Sequence, residues 1–287
     1  MGLLKSHSRY ILNKVLTTIG LYGSFFLFLI IILIPVYWLF MSATTPVHEL
    51  FRTPPRYFFM PNFENFSLLI DQIPFYQYLR NSILFGLSTS VFSVALGFLA
   101  AYGFARIKVP GRDILLLGLV LSMALPEIVT VVPLFQFLRN LSMINTIQGL
   151  TFVMSSVLIP FTVWVLVSFI RQIPTEMEEA AIVDGVSLPQ LLWLIVIPVM
   201  KPALVTMLAI NFINAWNNLV YPLAFSSTVD AKTLSVSVTE VFQARAPYGR
   251  PWHLISALAT TMIIPVIALV FVSQRAIVSG LTRGSIK

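Results

Sequence analysis

The sequence predicts an all-α integral membrane protein with six transmembrane helices. Three observations predict it: a mean hydropathy of +0.89, only 10% charged residues beside 57% apolar ones, and six apolar stretches long enough to cross hydrocarbon. A soluble globular chain carries about a quarter charged residues, and this one has too few to clothe a surface exposed to water. A lipid-covered surface needs few charges. The 287 residues include no cysteine, which removes disulfides and thiolate metal sites. His7, His48 and His253 stand far apart, and none sits in a metal-binding spacing. The net charge of +7 would suggest nucleic acid in a soluble domain. Here it reads as basic flanks of membrane spans on the inner side, with no nucleic acid as partner.

A span needs about 20 mostly apolar residues. Residues 1–17 form a basic leading segment with Lys5, Arg9 and Lys14. The first span, 18–43, contains FFLFLIIILIPVYWLF. It is too long for a secretory h-region and no A-x-A site follows, so it is read as a retained anchor. Residues 44–78 hold Pro46, Pro54, Pro55, Pro61 and Pro74 and predict an irregular segment on the membrane surface. The second span covers 79–107 and the third 114–138, with Pro126 and Pro133 as bends and Glu127 near its middle. Spans four, five and six cover 146–170, 200–225 and 254–280. The polar segment before the last span includes TLSVSVTEVF, strand-like or a short helix, and residues 281–287 form a tail.

Lysine and arginine placement sets the orientation. With the N-terminus inside, Arg106, Lys108, Arg112, Arg171, Lys201, Arg275, Arg283 and Lys287 join the leading basic residues there. They outnumber Arg52, Arg56, Arg80, Arg139, Lys232, Arg245 and Arg250 outside. Both termini are therefore expected in the cytoplasm of a multi-pass protein, with the lipid bilayer as its first partner.

The inner loop 171–199 carries the clearest local signals. Thr175 with Glu178 fits the S/T-x-x-E capping box. Glu176, Glu178 and Glu179 fall where the helix dipole favours negative charge, and Gly185 suits a left-handed C-terminal cap. Ser187 with Gln190 offers a second box, with Pro189 in the first turn. The pattern predicts a helix over 176–184, a bend at Gly185 and a second helix from Leu188. Pro198 and Pro202 mark the approach to span five. A short bent helix at the inner face is a docking knob for a soluble partner, and the small Ala180 and Ala181 permit close approach. The alternative is a plain surface helix between spans.

Glu179-Ala180-Ala181, three residues, Gly185, nine residues and Ile195-Val196-Ile197-Pro198 resemble the EAA motif of ABC importer permeases. Ile197 stands where leucine is usual. Asp184 and Pro202 fit the carbohydrate-uptake branch. So do Asn81-Ser82, the run from Ala100 to Arg106 (AAYGFAR), Pro110-Gly111-Arg112, Ala215-Trp216-Asn217-Asn218, Tyr221-Pro222-Leu223 and the tail GLTRGSIK. The resemblance covers residues 20–287 and is closest to the maltose-permease type.

It implies a type I ABC importer permease in the bacterial plasma membrane. The implied partners are a homologous second permease, two ATP-binding-cassette ATPase subunits and an extracytoplasmic solute-binding protein. ATP and Mg would belong to the ATPase subunits. The chain has no GxxxxGK[ST] loop, so no cofactor and no enzymatic activity are expected of it. The ATPase-coupling residues implied are Glu179, binding polar or basic groups, Ala180 and Ala181, allowing contact, Gly185, setting the bend, and Asp184 beside it. The tail 281–287 would reach the ATPase. The implied solute is a sugar, oligosaccharide or polyol. A glycerol-phosphate-type importer permease is the alternative. A secondary transporter is a more distant rival, and no inverted repeat supports it.

Span five carries Asn211, Asn214 and Asn218 at i, i+3 and i+7, one helical face. Two readings stand: a polar stripe lining the pathway, or helix–helix glue worth about 0.6 kcal/mol per bond. Glu127 carries the same pair of readings, a group facing the pathway or a hydrogen-bonded support of a kink. A charge at membrane depth costs several kcal/mol unless paired or wetted.

Overall fold

Inside lipid an unpaired backbone group finds no water, so an apolar chain satisfies itself by helical hydrogen bonds. The computed structural model describes residues 2–54, 60–108, 110–243 and 249–283, with side chains described from residue 14 to residue 276 of these. Its elements are helices: α1 (Gly2–Thr44), α2 (Val47–Leu50), α3 (Glu64–Gln72), α4 (Phe75–Arg106), α5 (Arg112–Ser122), α6 (Glu127–Asn140) and α7 (Ile147–Ile170). There follow α8 (Thr175–Val183), α9 (Leu188–Leu191), a π-helical turn (Leu192–Val196), α10 (Ile197–Asn217), α11 (Val220–Phe225), α12 (Leu234–Gln243) and α13 (Trp252–Arg283). Of the tail, residues 284–287 lie outside the described residues, and 281–283 continue the backbone of α13.

Among the described residues, five helical stretches are long and apolar enough to cross a membrane: Lys14–Thr44, Phe75–Arg106, Ile147–Ile170, Leu188–Asn217 and Trp252–Ala276. A sixth exists if α5 and α6 count as one span, because they meet at a bend of 100°. The span read over 114–138 with bends at Pro126 and Pro133 is thus two helices, broken just before Glu127. Pro126 takes extended backbone at the head of α6, with φ −61° and ψ 135°. Its missing N–H and the clash it imposes on the preceding residue stop α5 from continuing. Pro133 sits inside α6 without ending it. The segment 44–78, read as irregular, holds α2, α3 and the start of α4.

The chain divides into two compact units, Met1–Leu69 with Ala246–Thr260, and Ile70–Arg245 with Thr261–Lys287. In the first, Asn65 pins the head of α3 to the end of α1. Its Nδ2 donates to the carbonyls of Ala43 at 3.0 Å and Thr45 at 2.9 Å. Along α1, side chains such as Phe25, Phe26, Leu27, Phe28 and Ile31 are exposed.

The second unit is built on α4, α7 and α10. One apolar cluster joins late α4 (Phe98, Tyr102), late α7 (Leu166, Ile170) and early α10 (Met200, Ala203). Another joins early α4 (Phe85), early α7 (Leu150, Val153) and Ala215 near the end of α10. So α4 and α7 run parallel, and α10 runs against them. The approach is close: a Cβ on Gly97 would lie 2.6 Å from Cγ2 of Thr162. Small residues let membrane helices reach such distances. At the N-terminal end of α4, Asn81 Nδ2 donates to the carbonyls of Val229 at 3.0 Å and Lys232 at 2.9 Å. Ser82 Oγ accepts from the Leu234 N–H at 2.8 Å. The Asn81-Ser82 pair thus ties the segment leading into α12 to α4.

Candidate functional site

At the end of the bundle where α4 and α7 stop, the chain turns into α8. Pro174 occupies the N-cap position, so Thr175 falls one place inside the helix and its hydroxyl makes no capping bond. The capping box read at Thr175 and Glu178 is therefore not formed. Glu178 is instead 5% exposed and turned into the bundle. Its Oε2 accepts from Tyr102 Oη at 2.8 Å, and its Oε1 accepts from Arg106 Nε at 2.9 Å and Nη2 at 2.7 Å. Arg106 Nη2 also donates to the Ile173 carbonyl at 2.8 Å, in the turn that enters α8. Charge-assisted bonds of this kind are short and strong. They hold the carboxylate away from the helix terminus.

The C-terminus of α8 closes as a Schellman motif. Gly185 adopts φ +83°. Its N–H bonds to Ile182 O at 3.0 Å, and the Val186 N–H bonds to Ala181 O at 3.0 Å. Gln190 Oε1 then accepts from the Ser187 N–H at 3.0 Å and hydroxyl at 2.8 Å, which starts α9. The π-helical turn follows because Pro198 has no N–H to give. The Ile197 N–H reaches five residues back, to Leu192 O.

This geometry gives α8 two faces. Glu178 and Ala181 are buried, and Ala181 belongs to the apolar cluster of α4, α7 and α10. Its small side chain lets α8 lie close to its own bundle, where the sequence reading had it beside Ala180 on the contact face. Glu179, Ala180, Asp184 and Gly185 are exposed. So are the apolar side chains of Ile182 (59%), Val183 (87%) and Leu188 (56%). An exposed apolar patch on a short, firmly held helix is a surface suited to a protein partner.

The asparagines do not form one face. Asn211 is fully buried. Its Nδ2 donates to Ser93 Oγ at 2.8 Å and Thr162 Oγ1 at 2.9 Å, joining α10 to α4 and α7. It presents no surface to a route through this chain, a correction to its reading as a lining residue. Asn214 is exposed and bonds only within its helix, to Ile210 O at 2.9 Å. Asn218 lies beyond the end of α10, in extended backbone at ψ 129°. Leaving the helix frees its side chain to reach α6. Its Nδ2 stands 3.2 Å from both Glu127 oxygens, and its Oδ1 accepts from the Tyr221 N–H at 3.1 Å. Glu127, at the head of α6 and half-buried, so ties the second half of the broken span to the end of α10.

At the opposite end of α4 from α8, a cleft of about 660 Å³ includes Gln77, Arg80, Gln148, Thr151 and Asp230 among its lining. None of the site residues read from the sequence lines it. Among the described residues, no group of three or more His, Asp or Glu converges as metal ligands. The residues that sequence reasoning missed are Tyr102 and Arg106. Their i, i+4 spacing, two donors on one helical face, was the signal that could have found them.

Comparison with known proteins places this arrangement. The chain is 31% identical over 254 residues to the diacetylchitobiose uptake system permease protein DasC of Streptomyces coelicolor, covering 88% of this chain and 91% of that one. It is 34% identical over 258 residues to the trehalose transport system permease protein SugB of Mycobacterium tuberculosis, covering 89% and 92%. Its fold is similar to a chain in the crystal structure of a bacterial ABC transporter involved in the import of the acidic polysaccharide alginate. The TM-score is 0.76 at 20% identity, over 90% of this chain and 96% of that one. The family described as binding-protein-dependent transport system inner membrane component matches residues 93–283, a stretch that contains α7, α8 and α10 entire, and the chain belongs to that family.

Proposed function

We propose that this chain is a permease subunit of an ATP-driven importer for a sugar, oligosaccharide or polyol. It forms half of the translocation pathway and docks a separate ATPase through α8. The observation that carries the reading is the exposed face of Glu179, Ala180, Ile182, Val183 and Asp184, mounted on a helix whose other face is buried. The names of the diacetylchitobiose and trehalose permeases support the solute class. In this reading both termini and α8 face the cytoplasm. A homologous second permease and lipid cover the exposed side of α1, and a solute-binding protein delivers from outside. ATP and Mg bind the two ATPase subunits. Asn214 and the Glu127–Asn218 pair present polar groups to the pathway, where hydroxyl-bearing solutes would find hydrogen-bond partners.

The chain has no cysteine, so a single introduced thiol is unambiguous. With Val183→Cys in the assembled importer, a short bifunctional reagent is expected to join α8 to the ATPase. A thiol at that position that never reaches the ATPase, and is modified from outside intact cells, would overturn the reading.

A further inference from the structure

We propose that Glu178, gripped by Tyr102 and Arg106, is the positioning residue that passes displacement of α8 directly to α4. The inference rests on the reading that α8 receives the ATPase, and it adds the route by which the push leaves that helix. Covalently, α8 is joined to the bundle by two turns. The one after it passes through Gly185 at φ +83°, a bend of the kind that absorbs rotation. A push carried only along the chain would be spent partly in these turns.

The side-chain grip bypasses both. The Glu178 carboxylate takes donors from Tyr102 and Arg106 on its two oxygens, at 2.7 to 2.9 Å. The same guanidinium holds the Ile173 carbonyl at 2.8 Å, so one Arg106 clamps both the entry turn and the helix. The pair is enclosed, with side chains 14% and 7% exposed. An enclosed ion pair is directional and weakly screened, and an apolar contact such as that of Ala181 is not directional. Tyr102 and Arg106 occupy the last turns of α4, a single helix that continues to Phe75. Movement of its end therefore reaches the other end of the helix.

The test uses the complete importer in liposomes, with a fluorophore on Tyr76→Cys at the far end of α4, where the native residue is 69% exposed. The probe is ATP with Mg, so no solute has to be identified. In the parent protein, ATP is expected to shift the emission. In Glu178→Gln, and in the apolar double variant R106M/E178L, the shift is expected to be largely lost. ATP hydrolysis and the Val183→Cys crosslink are expected to persist. The double variant matters because an apolar replacement of a buried ion pair is often neutral for folding, and a merely structural pair would leave its shift intact. An unchanged shift in both variants overturns the proposal. So does loss of the crosslink together with the shift, which would make the pair a fold-holding contact only. An absent shift in the parent also overturns it. An absent crosslink in the parent removes the docking reading itself, which separates the two failures.

Discussion

Glu178 and Glu179 carry the same side chain one position apart, and the structure sends them to opposite environments. One is buried among Tyr102 and Arg106, and the other is exposed beside Ile182 and Val183. Removing Arg106 alone strands a buried carboxylate, a loss of about 3–5 kcal/mol in comparable sites. Arg106→Ala is therefore expected to lower the thermal midpoint of the purified complex more than Glu179→Ala does. At Gly185, φ +83° is strained for a branched residue by about 1–2 kcal/mol. Gly185→Val is expected to abolish uptake while an immunoblot of membranes shows normal insertion. The asparagines divide in the same way. Asn211→Leu leaves the Ser93 and Thr162 hydroxyls without their amide partner, at a cost of about 1 kcal/mol, and is expected to reduce stability. Asn214→Leu, on an exposed position, is expected to change solute affinity or rate with stability unchanged. Equal effects on stability would move Asn214 to a packing role.

At the scale of elements, the inner loop was legible because its signals are local. The helix read over 176–184 forms as Thr175–Val183, and the second helix read from Leu188 begins there. The cap at Thr175 was misread because Pro174 fills the N-cap and a distant arginine claims Glu178. Proline also explains the third span, which hydropathy joined and Pro126 divides by 100°. The contact of α4 with α7 depends on Gly97, where any side chain meets Thr162. Overpacking of this kind costs about 1–3 kcal/mol. Gly97→Val is expected to lower the thermal midpoint and to separate the Ser88–Thr151 hydrogen bond, now 2.6 Å.

For the whole molecule, the exposed apolar side chains along α1 need an apolar cover. Lipid alone would supply it, and so would the second permease of the proposed assembly. Orientation is testable on the same cysteine-free background. Val183→Cys is expected to resist an impermeant maleimide on intact cells and to react in inverted vesicles. The opposite pattern would place α8 on the outer face and end the importer reading.

The sequence by itself determined the solvent, the helical class and the helix–turn–helix before α10. Each follows from composition or from residues a few positions apart. Only the tertiary structure decided which face of α8 is buried, that Asn211 bridges helices, and that Asn218 leaves its helix to meet Glu127. Those outcomes depend on partners far along the chain, such as Arg106 and Glu178, 72 positions apart. A side chain's hydrogen-bond partner across such a gap is set by which helices pack together, and local pattern does not carry that.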